Sequence, residues 1–259
     1  MRKRILLVGV AVAIWAIGLS ATPAFAKGGG GSFNCNGTVN GGTIAQNVSV
    51  SNNGVCVLNG VAVTGNVSVG KKAYFESNGS TISGNVTGIN ALTLYVWGGS
   101  NVSGNVSGIG TAQVFVYNST IGKNVAGDNN VAAGYGHFQV CGSTVSREIG
   151  AAFVGPDLLV GDPAAGCGAN TTGGDILVAV NSAASEVYVI GNTSNGGNIS
   201  VYANTGAGDK QVHGNNAPMG DLFCSGNSAP FDGSANGTVG DVEGGQCAAT
   251  TITGNDEDE

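Results

Sequence analysis

Hydrophobic and polar residues alternate in short stretches along most of this chain. In residues 92–97, LTLYVW, aliphatic residues alternate with Thr93, Tyr95 and Trp97. A period of two is the pattern of a β-strand with one buried face, so we expect the aliphatic side chains inside. Glycines follow at Gly98 and Gly99, and glycine adopts the positive φ angles that tight turns require. The pattern predicts short strands joined by turns.

The pattern recurs about every 20 residues. Residues 82–90 read ISGNVTGIN and residues 102–110 read VSGNVSGIG. The Gly-Asn-Val phrase, or a variant of it, occurs ten times, with its middle residue at Asn47, Asn66, Asn85, Asn105, Asn124, Glu148, Asp175, Asn198, Asp221 and Asp241. Such a period is typical of solenoids. With three short strands and three turns in each repeat, we predict an all-β fold: a single parallel β-helix of about ten coils over residues 33–250.

Stacking of the coils predicts columns of equivalent side chains about 4.8 Å apart. Two columns should be buried, and each aliphatic side chain in them contributes roughly 1.5–3 kcal/mol on burial. Their members are Val48, Val67, Val86, Val106 and Val125, and Val63, Ile82, Val102, Ile121 and Val145. A third column contains Asn47, Asn66, Asn85, Asn105 and Asn124. We expect its amides to hydrogen-bond along the solenoid axis, as asparagine ladders do in stacked β structures.

The six cysteines fit the same period. Neighbouring cysteines form the pairs Cys35–Cys56, Cys141–Cys167 and Cys224–Cys247, with separations of 21, 26 and 23 residues. Each separation is about one coil, so each pair can face across adjacent coils within disulfide reach. We therefore predict these three disulfides, which favour an oxidising compartment outside the cytoplasm.

The N-terminal residues have a different pattern. A basic start at residues 2–4, an uncharged run at residues 5–19 and the small-residue site Ala24-Phe25-Ala26 predict a secretory signal peptide over residues 1–26. Residues 27–32 are a Gly-rich linker, and residues 251–259 are predicted to be an acidic, disordered tail. No later segment is apolar enough to span a bilayer after signal cleavage. We expect a secreted protein, extracellular or at the cell surface.

Charge and composition narrow the classes of function. Without the leader the chain has 6 Lys+Arg, which is 9 minus the 3 in the leader, against 16 Asp+Glu, a net charge of −10. That balance disfavours nucleic acid and anionic membranes as partners. The 47 glycines could indicate disorder, but the regular recurrence of valine and isoleucine favours a folded core.

With its Gly-Asn-Val ladder, and with Gly-Ser-Thr-Ile/Val at residues 79–82 and 142–145, the chain resembles secreted right-handed parallel β-helix proteins of the pectin-lyase-like group. More narrowly, it is similar to bacterial exported proteins built from Gly-Asn-Val coils. The resemblance implies the right-handed sense of the coil. Enzymes of the group act on acidic polysaccharides with clustered aspartates, or with a basic residue beside calcium-binding acids. Here Arg147 is the only arginine after the leader and no adjacent Asp pair lies in a coil, so no catalytic residue is carried over.

Aromatic residues form the first candidate site. The alternation predicts that Tyr95, Trp97, Phe115 and Tyr117 point outward. Sugar rings stack on exposed aromatic side chains, and exposed apolar patches mark contact sites for partners. The row could be extended by two further residues, Phe75 and Tyr188. The alternative is that these residues belong to the core.

Two aspartates form the second candidate site. Asp221 and Asp241 occupy the asparagine column in adjacent coils. Two carboxylates about 5 Å apart repel each other unless a cation lies between them, and calcium suits clustered carboxylates. The alternative is that aspartate only replaces asparagine at a turn. Calcium is the only cofactor that the sequence suggests.

The longer coils between residues 124 and 221 form the third candidate region. Insertions in solenoids often hold the binding site, and here they lie at residues 126–136, 150–174 and 203–220. Five residues in or beside them could supply acid–base chemistry: His137, Arg147, Glu148, Asp157 and Asp162. The alternative is a set of solvated loops.

The sequence favours a non-enzymatic function for the protein. We expect a secreted structural or binding β-helix that contacts glycan or a cell-surface protein through its aromatic face. The alternative is a polysaccharide lyase or hydrolase that acts at the insertion loops of the coils between residues 124 and 221.

Overall fold

The computed structural model describes residues 31–128, 136–182 and 186–253. Over these residues the chain is all β apart from one 3-10 turn at Pro163–Ala165. Within these ranges no helix is long and apolar enough to cross a membrane. The predicted leader at residues 1–26, most of the Gly-rich linker and the end of the acidic tail lie outside the described residues.

Three parallel sheets run along the solenoid, and most coils contribute one strand to each of them. Sheet A has 11 strands. In order they are β1 (Phe33–Asn34), β4 (Val48–Val50), β7 (Val67–Val69), β10 (Val86–Ile89), β13 (Val106–Ile109), β16 (Val125–Asp128), β19 (Ile149–Ala152), β22 (Ile176–Ala179), β25 (Ile199–Tyr202), β27 (Leu222–Ser225) and β30 (Val242–Glu243).

Sheets B and C complete each coil, with 10 and 8 strands. Sheet B contains β2 (Gly37–Asn40), β5 (Val55–Asn59), β8 (Tyr74–Asn78), β11 (Thr93–Trp97), β14 (Gln113–Tyr117), β17 (His137–Cys141), β20 (Asp157–Val160), β23 (Glu186–Ile190), β26 (Lys210–His213) and β28 (Phe231–Asp232). Sheet C contains β3 (Thr43–Ile44), β6 (Ala62–Val63), β9 (Thr81–Ile82), β12 (Asn101–Val102), β15 (Thr120–Ile121), β18 (Thr144–Val145), β21 (Thr171–Thr172) and β24 (Thr193–Ser194). A last pair, β29 (Asn236–Val239) and β31 (Ala249–Ile252), follows at the C-terminal end and extends into the predicted tail.

Successive coils lie in register, as the repeat predicts. Val86 pairs with Val67 on one side and with Val106 on the other. All ten members of the two predicted aliphatic columns are buried in one continuous core. The prediction of a parallel β-solenoid of about ten coils is therefore confirmed.

The predicted asparagine column lies at the corner between sheets C and A, and its hydrogen bonds are confirmed. The side-chain Oδ1 of Asn66 accepts from the backbone N–H of Asn85 at 2.9 Å and from its Nδ2 at 3.1 Å. This packing leaves no room for a side chain on the residue before: a Cβ on Gly84 would lie 2.5 Å from Asn66 Oδ1 and 2.7 Å from the carbonyl oxygen of Gly65. The ladder therefore explains the glycine before asparagine at Gly65, Gly84 and Gly104, whereas Gln46 and Lys123 precede asparagine in two other coils.

Two further polar columns, which were not predicted from the sequence, lie inside the solenoid. One follows sheet B; its members are Ser80, Ser100, Ser119, Ser143, Asn170, Asn192, Asn215 and Asn236, all buried. The other follows sheet A, with Asn181, Asn204, Asn227 and Gln246. Asn192 illustrates the bonding, since its Nδ2 donates to Val160 O at 2.7 Å and to Asn215 Oδ1 at 3.1 Å. These amides satisfy backbone groups that the turns leave unpaired inside the core.

Two predicted orientations are wrong. Leu92 is 50% exposed, because β11 begins one residue later and Ala91 fills the core at that corner. Phe75 is fully buried and does not extend the aromatic row. It pairs with Leu94 and Cys56 on the inner side of sheet B, because Glu76 on the same strand must keep its charge at the surface.

The three predicted disulfides are present. The Cα atoms are 5.5 Å apart in Cys35–Cys56, 4.8 Å in Cys141–Cys167 and 5.5 Å in Cys224–Cys247. The middle disulfide anchors an excursion from sheet B in which Asp162 and Cys167 form an antiparallel bridge around the 3-10 turn. The other two join the coils near the ends of the described solenoid.

Candidate ligand-binding face

Four of the predicted site residues come together on the outer surface of sheet B. Tyr95 and Trp97 lie on β11, and Phe115 and Tyr117 lie on β14, with the aliphatic residues between them buried in the core. Tyr95 and Phe115 are direct partners in the parallel register. All four side chains are half-buried, because they cover one another while pointing away from the core. We call these four residues the aromatic face.

The rings of the aromatic face interlock. Tyr95 stacks on Trp97 with ring centroids 5.5 Å apart and an interplanar angle of 13°. It also contacts Phe115 and Tyr117 edge-on, with centroids 5.8 and 5.5 Å apart. Each aromatic pair contributes about 0.5–1.5 kcal/mol beyond area burial. Tyr95 is therefore the centre of a rigid cluster that spans two coils.

A carboxylate on the preceding coil holds the edge of the cluster. The indole Nε1 of Trp97 donates to Glu76 Oε1 at 3.0 Å, and the hydroxyl of Tyr74 donates to Glu76 Oε2 at 2.6 Å. Tyr74 and Glu76 were not predicted from the sequence as part of this site. The signal was present in β8, YFESN, where Tyr74 and Glu76 share the outward face once Phe75 is placed in the core.

The other edge of the cluster is polar. The hydroxyl of Tyr117 donates to Gln139 Oε1. The His137 ring lies 6.3 Å from that of Phe115, and His137 Nδ1 lies 2.9 Å from Asp157 Oδ2. The face therefore offers ring surfaces flanked by carboxylate, amide and imidazole groups.

The tyrosines of this surface keep their protons. Burial, together with the nearby Tyr95, raises the pKa of Tyr117 to about 12. Burial and the charge of Glu76 raise the pKa of Tyr95, and burial with the hydrogen bond to Glu76 raises that of Tyr74 well above its usual range. Each therefore remains a neutral hydrogen-bond donor around neutral pH.

Tyr188 shares the column of the aromatic face but not its contacts. It pairs with Leu159 in the preceding coil, and Leu159 pairs with Gln139 in the coil before that. Gln139 and Leu159 therefore separate Tyr188 from Phe115. Tyr188 therefore lies in the predicted column but does not contact the aromatic face.

The five residues of the predicted insertion site are not assembled. His137 and Asp157 meet on sheet B. Arg147 and Glu148 lie at the corner between sheets C and A, where the Glu148 N–H donates to Asn124 Oδ1 at 3.2 Å. Asp162 lies on the disulfide-anchored excursion after sheet B. Residues 129–135 of the first insertion lie outside the described residues.

The predicted calcium residues stack in adjacent coils, since Leu222 pairs with Val242 in register. The Asp221 N–H donates to Asn198 Oδ1 at 2.8 Å, and Asp241 Oδ1 accepts from the Val242 N–H at 2.6 Å. In the part of the chain that the structure describes, no group of three or more His, Cys, Asp or Glu side chains could hold a metal ion. A calcium ion between Asp221 and Asp241 stays a prediction.

The architecture of the chain is that of a parallel β-solenoid with about ten coils. Its three disulfides are compatible with an extracellular protein. The narrower pectin-lyase-like identity stays a prediction. Comparisons of the chain with protein-family models, with curated proteins and with solved structures find no match.

Proposed function

We propose that the protein is a secreted, non-enzymatic β-solenoid of the cell surface or extracellular space that binds glycan through its aromatic face. The observation that carries the proposal is the interlocked cluster of Tyr95, Trp97, Phe115 and Tyr117 on the outside of sheet B. Large ring surfaces beside polar groups suit a sugar, whose rings have apolar faces and hydroxyl edges. Membership of the pectin-lyase-like, right-handed β-helices of bacteria is part of the proposal and rests on the Gly-Asn-Val resemblance.

The rigidity of the support favours binding of an extended chain. Sheet B strands β11 and β14 are paired on both sides, and the rings are held by Glu76 and Gln139. The side chains of the aromatic face therefore lose little conformational entropy when a ligand binds. The four rings span two coils and together offer one apolar contact area to an extended polymer.

A glycan array followed by calorimetric titration tests the proposal. The variant Trp97→Ala/Tyr117→Ala should lower the affinity for any glycan that the wild type binds by about tenfold or more. Tyr202→Ala/Phe223→Ala is a matched control, because those rings form a separate pair on sheet A with centroids 5.8 Å apart. Equal binding by the wild type and Trp97→Ala/Tyr117→Ala would exclude the aromatic face as the site.

Export is tested separately. We expect a chain expressed with residues 1–26 to be exported and to begin at Lys27 after cleavage. Sequencing of the N-terminus of the exported protein checks this. Retention of the full-length chain in the cytoplasm would contradict the secreted location.

One observation favours a second function, a polysaccharide lyase or hydrolase. His137 and Asp157 form a close pair beside Phe115, and an imidazole oriented by a carboxylate can act as a general base. In this reading acidic polysaccharides would be cleaved by the wild type and not by His137→Ala. Absence of turnover by the wild type would exclude it for the substrates tested.

A further inference from the structure

The outer surface of sheet B carries negative charge around its rings. The outward acidic residues of its strands are Glu76, Asp157, Glu186 and Asp232. The described strands of sheet B include one lysine and no arginine. That lysine, Lys210, is 1% exposed and points into the core, where its Nζ donates to Gly206 O and Gly208 O. Among the described strands of sheet B, no lysine or arginine side chain therefore lies on the outer surface beside the rings. Lys71 and Lys72 lie at the exposed corner before β8.

Glu76 lies in the column of Tyr95 and Phe115. Asp157 and Glu186 lie in the neighbouring column of sheet B, which continues from Gln113 through His137. Asp157 pairs with Glu186 in the neighbouring coil, which places two carboxylates one coil apart beside Tyr188. Burial and then the charges of Glu186, Asp209, Asp162 and Asp157 raise the pKa of Tyr188. At the other end of the face, Glu76 contacts Trp97 directly. Carboxylates therefore flank the rings on both sides along the solenoid axis.

Such a surface is complementary to a cationic ligand. Aromatic ring faces attract ammonium groups, and the attraction adds to that of nearby carboxylates. An acidic polysaccharide would bring further negative charge to the same surface and be repelled. A neutral sugar would use the rings but would bring no opposite charge to the carboxylates.

The geometry favours a glycan over a basic peptide as the cationic ligand. The strands that carry the aromatic face are paired on both sides. They therefore offer no free backbone edge to which a peptide strand could add. The face offers half-buried aromatic rings, whose apolar surfaces suit the apolar faces of sugar rings.

We propose that the aromatic face and its flanking carboxylates select an amino-sugar polymer with free, protonated amines, such as a glucosamine chain. The inference rests on the proposed glycan-binding function and narrows it to one ligand class. The ammonium groups would lie near Glu76, Asp157 and Glu186 while the sugar rings stack on Trp97 and Tyr117.

Calorimetric titration of the full chain separates this inference from the function on which it rests. The probes are a glucosamine oligomer, an N-acetylglucosamine oligomer of the same length and an oligogalacturonate. At a pH at which the amines are protonated, we expect the glucosamine oligomer to bind at least about tenfold more tightly than the acetylated one. Its affinity should fall as salt is added, because the charges are screened.

Charge variants test the residues. Asp157→Asn/Glu186→Gln should reduce the preference for the free amine by about tenfold. Asp175→Asn/Glu243→Gln removes the same charge at positions away from sheet B and should leave the preference unchanged. Circular dichroism confirms that each variant retains the fold.

The outcomes are distinct. Equal affinity for the free and the acetylated oligomers, lost in Trp97→Ala/Tyr117→Ala, would overturn the amine selectivity and leave the glycan-binding function in place. Binding of none of the oligomers would overturn both. Binding of an oligolysine of equal charge with the same affinity as the glucosamine oligomer would overturn the choice of a glycan.

Discussion

The indole N–H of Trp97 donates to the carboxylate of Glu76 on the preceding coil, over 3.0 Å. The same carboxylate accepts from Tyr74 at 2.6 Å, so one residue orients two rings. The interaction joins β8 to β11 on the outer side of sheet B, independently of the core. It shows that the aromatic face is held by contacts between coils.

We expect Glu76→Ala to release Trp97 and to destabilise the protein by about 1.5–3 kcal/mol, as is typical for hydrogen bonds to a charged group. The emission of Trp97, the only tryptophan besides Trp15, should shift to longer wavelength. Glu76→Gln retains one acceptor oxygen and should show a smaller change. Fluorescence and urea unfolding measure both effects, and identical spectra for all three proteins would contradict the role of Glu76.

The two kinds of asparagine column should differ in their contribution to stability. Asn192→Ala removes a fully buried amide. It takes a side-chain donor from Val160 O and an acceptor from the backbone N–H and Nδ2 of Asn170. We expect a loss of about 2–4 kcal/mol in the free energy of unfolding. Asn66→Ala, in the exposed column, should cost less than about 1 kcal/mol. Denaturant unfolding measures both, and equal losses would contradict the difference in burial.

Removal of the Cys35–Cys56 disulfide should loosen the first coils. For a closed loop of this size the loss is about 3 kcal/mol, and both sulfurs lie in the core. Cys35→Ala/Cys56→Ala should therefore lower the stability and speed up amide hydrogen exchange in β1 and β2. Exchange in β13, in the middle of sheet A, should change little. Uniformly faster exchange along the chain would show that the coils unfold as one unit.

Val180 has a positive φ of 58°, which a β-branched residue rarely adopts. Ala203 occupies the same corner in the next coil with φ 54°, and Gly226 follows with φ 65°. Val180→Gly should therefore raise the free energy of unfolding by about 1 kcal/mol. Ala203→Gly should raise it by less, because alanine is not β-branched. Thermal unfolding checks both, and a lower stability of Val180→Gly would contradict the strain.

The Glu148 carboxyl should make stability depend on pH. Burial and the charge of Asp175 raise the pKa of Glu148, while Arg147 lowers it. The folded state then binds the proton more tightly than the unfolded state, so stability is lost as pH rises through the raised pKa. Glu148→Gln should gain up to about 0.5 kcal/mol at neutral pH and nothing at strongly acidic pH. Arg147→Gln removes the charge that lowers the pKa of Glu148, so it should increase the loss of stability as pH rises. Denaturant unfolding curves recorded from strongly acidic to neutral pH measure the free energy of unfolding of each variant.

Much of the fold could be predicted because the repeat uses aliphatic residues that are stable in only one environment, the buried core. Val67, Val86 and Val106 recur at a spacing of 19 or 20 residues, and such a column has a low free energy only inside a stack of coils. The same spacing predicted the disulfides. The aromatic face was predicted because Tyr95 and Trp97 alternate with aliphatic residues on a single strand.

The sequence by itself determined the period, the inner aliphatic columns and the outward direction of the aromatic face. The tertiary structure alone decided which polar residues are buried and which groups meet across coils. Asn192 and Asn66 are the same residue type, yet one is buried and the other exposed, because burial depends on the turn that surrounds each amide. Glu76 likewise meets Trp97 only through the register of two coils, 21 residues apart. Hydrophobic alternation is local to a strand, whereas these partners are set by how neighbouring coils stack.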